Sequence, residues 1–196
     1  MSAPSKDPGW ARIGKKSDFP EHKAILTAIY QLAGGPRMLD LGCGEAHVTK
    51  GFDGDYVDLV VRPTAPGKTI RDDIRNAPKR FAKFHYNLLV MTDSIEHLTQ
   101  DDGAELLHKM EPICAATAIF TPVGPCHMDE KATDPDTHKS AWTPEQFWMQ
   151  GWEIIEIPCC HRYDDGTMLG AFWAFQFRNT DTPTAEAVLH AAAIDL

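Results

Sequence analysis

Two glycines that follow an apolar run are the first residues in the chain whose spacing could serve chemistry. The run Met38–Leu41 is apolar except for Asp40, as in a parallel strand that is covered on both faces. Gly42 and Gly44 have no side chains at the point where the backbone must turn and a ligand could come close. A short helix is expected from Glu45, with its first amides free to face a ligand. These features predict a nucleoside-type ligand at the carboxyl edge of a sheet.

A second group of reactive side chains follows the apolar run 85–91, which predicts another strand. Asp93 and His97 stand directly after that strand, and His138 precedes a later helix start. Because the ends of parallel strands lie at one edge of a sheet, Asp93 and His97 are expected beside the glycine turn. A histidine that is neutral near pH 7 suits acid–base chemistry, which makes His97 and His138 candidates for it. Hydrogen bonding that only supports a loop is an equal alternative for both histidines.

The elements that must position these residues alternate between strands and helices. Apolar or alternating runs predict strands near residues 38–41, 55–59, 85–91, 118–121, 152–157 and 171–177. Helices are predicted to begin near Pro20, after Thr99 and after Thr143, where Gln146 completes the pattern of a capping box. The polar segment 123–139 is too long for an ordinary connection, and loops of this length tend to be functional or disordered.

Three strings resemble motifs of class I S-adenosylmethionine (SAM)-dependent methyltransferases. The string Leu39–Gly44 is similar to the first motif of that family, hydrophobic-Asp-hydrophobic-Gly-x-Gly. Asp93–Leu98 resembles the segment that follows the fourth strand of many small-molecule methyltransferases. His138–Phe147 is similar to the H-x-S-x-W-T/S-x-x-x-F segment of a branch of small bacterial and phage-type members. Ala46 stands where the family usually has a third glycine, and its small size still permits close packing.

The resemblance covers about residues 20–178 and implies a three-layer, Rossmann-like α/β sandwich. Its sheet would be mostly parallel and seven-stranded, with an antiparallel last strand. The chain would then consist of a flexible N-terminal arm (1–17), a SAM-dependent methyltransferase domain (18–178) and a C-terminal tail (179–196) that is polar and then alanine-rich.

The resemblance also implies which residues contact the methionine part of SAM. They are the four residues of the glycine turn that match the first motif: Asp40, Gly42, Cys43 and Gly44. Asp93 would border either this end of SAM or the methyl acceptor.

Acidic residues near the end of the second strand and in the segment 69–74, which resembles the family's third strand, are implied to bind the nucleoside. Asp58 would accept hydrogen bonds from the ribose hydroxyls, and Asp73 with Ile74 would face the adenine. The alternative carboxylates are Asp53 and Asp55 for the ribose and Asp72 for the adenine.

Methyl transfer to an O- or N-nucleophile of a small molecule is the activity that the resemblance implies, with S-adenosylhomocysteine as product. Alignment of acceptor, methyl group and sulfur can by itself contribute roughly 7–11 kcal/mol. A base is needed only when the acceptor must lose a proton, and the candidates are His138, His97 and Asp93. Two other classes fit the same motifs: a regulator that binds SAM or S-adenosylhomocysteine without turnover, and an enzyme that consumes SAM in another reaction.

The overall charge argues against nucleic acid or an anionic membrane as partner. The formal net charge is −9, the pI is about 5.4, and no basic run is present. The chain also lacks the Asn/Asp-Pro-Pro-Tyr string of many methylases that act on amino groups of DNA bases. No apolar stretch approaches the roughly 20 residues needed to span a membrane, and no signal-peptide pattern begins the sequence. A cytoplasmic protein with a small-molecule acceptor is therefore predicted, and its oligomeric state stays open.

The cysteines and their neighbouring histidines raise the possibility of a zinc site. Five cysteines are present, and Cys126-His127 and Cys159-Cys160-His161, together with His138, have suitable residue types. However, no C-x-x-C spacing occurs, and adjacent cysteines on a strand point to opposite faces. Buried thiols in a reducing compartment are the preferred interpretation, so the sequence predicts no metal.

Overall fold

The structure is a computed structural model that describes residues 20–125, 128–131, 133–162, 168–178 and 180–194. The strands are β1 (Met38–Leu41), β2 (Gly54–Asp58), β3 (Thr69–Arg71), β4 (Tyr86–Thr92), β5 (Cys114–Pro122), β6 (Glu153–Arg162) and β7 (Met168–Phe177). The α-helices are α1 (Pro20–Leu32), α2 (Ala77–Arg80), α3 (Gln100–Met110), α4 (Pro144–Trp148) and α5 (Ala185–Ala192). Short 3-10 turns follow β3 (Ile74–Asn76) and β4 (Ile95–His97). The predicted arm at 1–17 lies outside the described residues, as do Cys126-His127 and the side chains of Cys159-Cys160-His161.

One sheet contains all seven strands, in the order β3-β2-β1-β4-β5-β7-β6. β1 pairs in parallel with β2 and β4, and the parallel pairing continues to β3 on one side and β5 on the other. β7 is antiparallel to both of its neighbours, β5 and β6. The predicted fold class, a mostly parallel seven-stranded sheet with an antiparallel last strand, is confirmed.

The central strands are apolar on both sides because helices cover both faces of the sheet. Successive residues of β4 enter opposite layers: Leu88 and Val90 pack in the layer of α1 and α5, whereas Leu89 and Met91 pack in the layer of α3 and α4. Every residue of β1 is buried. This arrangement gives the near-continuous apolar runs of the sequence and leaves the carboxyl ends of the strands as the place for polar side chains.

The segment after β1 differs from the expected short helix, and that prediction was wrong. Residues 45–52 form turns, because Ala46 adopts a left-handed backbone (φ 54°) that interrupts a right-handed helix. The buried Tyr56 hydroxyl donates to the carbonyl oxygens of Thr49 (3.0 Å) and Phe52 (2.8 Å) and so replaces a helical hydrogen-bond ladder. Burial raises the pKa of Tyr56 to about 12, which keeps this donor protonated.

Helix α5 packs against helix α1. Thr184 caps α5 by accepting a hydrogen bond from the Ala187 amide (3.2 Å), and Glu153 of β6 accepts one from the Ala185 amide (3.0 Å). Val188 is completely buried in the layer of α1. Among the described residues, no helix is long and apolar enough to cross a membrane.

A substitution at Gly103 of α3 tests how tightly the Trp142 ring packs on this helix. A Cβ atom at this position would lie 2.8 Å from Trp142 Cζ2, in a ring that is only 4% exposed. Alanine normally stabilises a helix by about 1 kcal/mol over glycine, but overpacking costs about 1–3 kcal/mol. We therefore expect Gly103→Ala to lower the free energy of unfolding in urea. Gly67→Ala, whose Cβ would meet no atom within 4 Å, is the control and should be close to neutral. A Gly103→Ala variant at least as stable as the wild type would contradict the packing.

Candidate functional site

A cavity of about 350 Å³ lies where the strand order reverses, at the carboxyl ends of β1 and β4. Open α/β sheets bind ligands at this switch point, because the connections from the two strands leave toward opposite faces and open a crevice. The wall of the cavity is formed by the following residues: Gly42, Gly44, Asp58, Leu59, Val60, Arg62, Asp73, Ile74, Arg75, Asp93, Ser94, His97, Leu98, Thr99, Asp102, Glu130, Pro135, Asp136 and Lys139. Of the predicted site residues, Gly42, Gly44, Asp58, Asp73, Ile74, Asp93 and His97 are brought together here.

The two glycines of the turn after β1 have different roles. Gly42 (φ 77°) packs so closely on Ser94 that an added Cβ would lie 2.4 Å from the Ser94 Cβ. Ser94 in turn donates a hydrogen bond to the Leu41 carbonyl oxygen (2.8 Å). Gly44 (φ 54°) has no atom within 4 Å of the position its Cβ would take, so its open side belongs to the cavity. Only Gly44 therefore leaves space that a ligand can fill.

The backbone amides of this turn serve the protein itself. The amides of Gly42 and Cys43 both donate to the Val57 carbonyl oxygen, at 2.8 and 3.1 Å. The Gly44 amide donates to the Asp58 carboxylate at 2.7 Å. These three amides are thus engaged in joining β1 to β2, and the missing side chain of Gly44 opens the cavity.

Asp40 and Cys43 lie beneath the turn and do not reach the cavity wall. Asp40 is completely buried and accepts a hydrogen bond from the Thr49 hydroxyl (2.5 Å). Cys43 is also buried; that burial, together with the charges of Asp40 and Asp58, holds the pKa of its thiol far above the ordinary value. Asp40 and Cys43 therefore support the turn from below.

Asp58 ends β2 and is held in place from two sides. One carboxylate oxygen accepts from the Gly44 amide (2.7 Å) and the other from the Val60 amide (2.8 Å). A carboxylate has about four acceptor positions, so these two bonds leave capacity for hydroxyl donors in the cavity. The alternative carboxylates Asp53 and Asp55 do not line the cavity, and Asp55 accepts instead from the Tyr86 hydroxyl (2.7 Å).

Asp73 begins the 3-10 turn after β3 and shares its carboxylate with Arg75. It accepts from the Arg75 amide (2.9 Å) and from two nitrogens of the guanidinium (2.6 and 3.0 Å). These bonds lower the pKa of Asp73 below its ordinary range, so the carboxylate is ionised at neutral pH. Asp72 is bound to Asn76 and Arg80 and lies outside the cavity wall.

The reactive residues after β4 occupy the other side of the cavity. Asp93 adopts a left-handed backbone (φ 42°) that is uncommon for a residue with a side chain, and its amide donates to the Phe120 carbonyl oxygen of β5 (2.8 Å). Asp93 and His97 both line the cavity. His138 is only 8% exposed and lies behind His97, with the two imidazole rings 4.9 Å apart between centroids.

Sequence reasoning missed the apolar and charged residues that complete the wall. Leu59 and Val60 are both 45% exposed, although they are large apolar side chains directly after Asp58. An exposed apolar pair in a loop next to a predicted ribose-binding residue was the available signal. Across the cavity, Arg62 forms an ion pair with Asp136 (3.3 Å), which links the segment after β2 to the loop after β5. That loop pairing has no local signal in the sequence.

No protein-family model matches the chain, and no curated protein matches it either. Solved structures do match its fold. A SAM-dependent methyltransferase from Archaeoglobus fulgidus aligns with a TM-score of 0.58 and 16% identity, over 83% of this chain and 95% of that chain. The N-methyltransferase NodS from Bradyrhizobium japonicum WM9 aligns with a TM-score of 0.53 and 14% identity, over 84% of this chain and 97% of that chain. The small RNA methyltransferase HEN1 aligns with a TM-score of 0.56 and 14% identity, over 94% of this chain and 28% of that chain.

These likenesses, at low sequence identity, concern the backbone and the order of the strands. They agree with the sheet topology and with the position of the cavity at the reversal of strand order. The chain therefore has the fold of class I SAM-dependent methyltransferases.

Proposed function

We propose that this protein binds SAM in the cavity at the ends of β1 and β4 and transfers its methyl group to a small-molecule acceptor. The observation that carries the proposal is the open side of Gly44, which faces a cavity bordered by carboxylates after β2, β3 and β4. A volume of about 350 Å³ lies within the range of roughly 300–1,000 Å³ that is usual for ligand sites.

The parts of SAM are assigned to the wall by their chemistry. Gly44 offers space to the methionine part, and Asp58 offers acceptor positions to the ribose hydroxyls. Leu59 and Val60 give the nucleoside an apolar surface, and Asp73 with Ile74 lies where the adenine would end.

The charge of the wall favours a cationic ligand. The carboxylates on it are Asp58, Asp73, Asp93, Asp102, Glu130 and Asp136, and the Lys and Arg residues on it are Arg62, Arg75 and Lys139. An excess of negative charge stabilises a sulfonium ion more than it stabilises a neutral thioether. The same excess, together with the net charge of −9, opposes the approach of a polyanion and supports a small-molecule acceptor.

SAM supplies a methyl group on a positively charged sulfur, which leaves as the neutral thioether S-adenosylhomocysteine when a nucleophile takes the methyl group. The protein must hold the acceptor in line and, for a hydroxyl acceptor, assist the loss of its proton. Asp93, His97 and His138 are the candidates for this assistance. The rings of His97 and His138 lie 4.9 Å apart between centroids, so neither histidine is isolated from the other.

The ribose assignment can be tested with Asp58→Ala. Loss of a hydrogen bond to a charged group costs about 1.5–3 kcal/mol, so we expect the Kd for SAM to rise by roughly 10- to 100-fold in isothermal titration. Some loss of thermal stability is expected as well, because the amides of Gly44 and Val60 lose their acceptor. Asp53→Ala, on an exposed residue outside the wall, is the matched control and should bind SAM as the wild type does. Unchanged affinity in Asp58→Ala would remove the proposed ribose contact.

The open side of Gly44 can be tested with Gly44→Ala. The left-handed backbone makes the change cost about 1–2 kcal/mol of stability, and the new methyl group enters the space assigned to SAM. Gly35→Ala is the matched control, because Gly35 also has a positive φ (82°) and open surroundings but lies at the end of α1. Both variants should lose similar stability, and only Gly44→Ala should lose SAM binding. Equal binding by the two variants would show that the cavity is not the SAM site.

Turnover can be tested with methyl-labelled SAM and cell extract that is separated into small-molecule, protein and RNA fractions. The proposal expects label in the small-molecule fraction and formation of S-adenosylhomocysteine. Label in RNA would overturn the acceptor class. Tight SAM binding without labelled product would identify a regulator, and breakdown of SAM without an acceptor would identify a different SAM-consuming enzyme.

A further inference from the structure

Glu96, His97 and His138 form a compact cluster at the edge of the cavity. Each residue offers one ligand atom, and these atoms all lie within 4.8 Å of one another. Two atoms that bind the same transition-metal ion at about 2.0–2.2 Å are at most about 4.4 Å apart, so a small side-chain rotation would bring all three onto one ion. The residues come from two distant parts of the chain, the turn after β4 and the segment before α4.

The backbone holds these two parts together. The amides of Lys139 and Ser140 both donate to the Glu96 carbonyl oxygen, at 2.7 and 3.1 Å, which fixes His138 beside the turn. The hydroxyl of Thr121, a completely buried residue of β5, donates to Glu96 Oε2 at 3.0 Å. Hydrogen bonds of this kind orient a carboxylate or imidazole toward a metal.

Two atoms of the cluster are buried without a hydrogen-bond partner among the described residues. They are Glu96 Oε1, on a residue that is 2% exposed, and His97 Nδ1. Within the same described part of the chain, no Lys or Arg forms an ion pair with Glu96. A buried carboxylate without a counter-charge is costly, and a cation bound to the cluster would remove that cost.

We propose that Glu96, His97 and His138 bind one divalent transition-metal ion. Two imidazoles and one carboxylate suit Zn²⁺, Fe²⁺, Co²⁺ or Mn²⁺ better than Mg²⁺ or Ca²⁺, which prefer oxygen ligands. Three protein ligands leave coordination positions open, as in catalytic sites, whereas structural zinc sites have four. Since His97 lines the cavity, we expect the open positions to be accessible from the cavity.

A metal ion at this site would indicate which chemical class the methyl acceptor belongs to. This inference rests on the proposed function. An acceptor hydroxyl bound to the ion has a lowered pKa and releases its proton to solvent. The oxygen then forms a bond to the methyl carbon, the carbon–sulfur bond breaks, and its electron pair stays on the sulfur. One proton is released for each methyl group transferred. The acceptor is therefore an alcohol or a diol that can reach a metal ion.

The metal site is tested first by binding, without any turnover. Protein that has been stripped with a chelator is titrated with Co²⁺, whose visible absorption reports coordination, and with Zn²⁺ by calorimetry. We expect one tight site in the wild type and at least a 10-fold rise in Kd for Glu96→Gln, His97→Ala and His138→Ala. The matched control is His108→Ala, which removes an exposed histidine of α3 outside the cluster and should leave the affinity unchanged.

The Tm of thermal unfolding gives a second measurement of metal binding, independent of Co²⁺ absorption and of Zn²⁺ calorimetry. An ion bound by the folded state raises the Tm of the wild type and of His108→Ala, but not that of His97→Ala. His97 is only partly buried, so its variant is expected to fold even if changes at the more deeply buried Glu96 and His138 prevent folding. The proposal is overturned if stripped wild-type protein binds neither ion at one tight site, or if His97→Ala binds as tightly as His108→Ala.

Failure of the metal site and failure of the proposed function give different results. Stripped wild-type protein should still bind SAM in calorimetry, because the assigned SAM residues lie outside the cluster. SAM binding without a tight metal site would overturn only the metal proposal. A tight metal site without SAM binding would leave the metal proposal intact and overturn the proposed function.

Discussion

The close approach of Gly42 to Ser94 is the contact on which the rest of the site depends. The missing Cβ of Gly42 lets the segment after β4 lie directly against the turn after β1, and the Ser94 hydroxyl fixes that approach through the Leu41 carbonyl oxygen. Backbone and side chain thereby meet at the reversal of strand order, where a twisted parallel sheet leaves a crevice. Any side chain at position 42 would separate the two segments and widen or distort the cavity between them.

That contact joins two halves with different chemistry. On the β2 and β3 side, aspartates such as Asp58 and Asp73 are held by amides or a guanidinium, so their charge is stabilised without any ligand. On the β4 and β5 side, Glu96 is buried with one oxygen lacking a partner among the described residues, beside two imidazoles. The first half has acceptor positions left for hydrogen-bond donors, and the second half carries the three residues of the proposed metal site.

Sequence patterns predicted the elements whose signals are local. Apolar runs identified the buried strands, and Thr99 and Gln146 mark the starts of α3 and α4 through hydrogen bonds between neighbours in the chain. The short helix after β1 was wrong, because the left-handed Ala46 and the distant Tyr56 hydroxyl determine that segment. Propensity in a short window contains neither of these influences.

Within the site, positions could be predicted but partners could not. The resemblance to methyltransferase motifs implied Asp58 and Asp73 as binding residues, the strand end before His97 predicted its place at the carboxyl edge, and all three residues line the cavity. The resemblance did not indicate that Asp40 and Cys43 would lie beneath the turn, because facing direction depends on how β1 pairs with β2. The pairing of His97 with His138 was hidden for the same reason: two amides bound to one carbonyl oxygen create it, and backbone hydrogen bonds leave no residue-specific pattern.

Because the two halves of the cavity are held by different contacts, amino-acid substitutions in one half can leave the other half unchanged. The aspartates that we propose hold the nucleoside are fixed by hydrogen bonds within the β1–β3 half, so substitutions in the segment before α4 are expected to leave that half intact. The acceptor half depends on a loop whose attachment consists of two amides on Glu96 and the packing of Trp142 on Gly103. Loops vary in sequence more readily than the strands that carry them. Under the proposed function, the choice of acceptor is therefore expected to depend on the segment that is least constrained by the sheet, while the glycine turn and the aspartates preserve the binding of the cofactor.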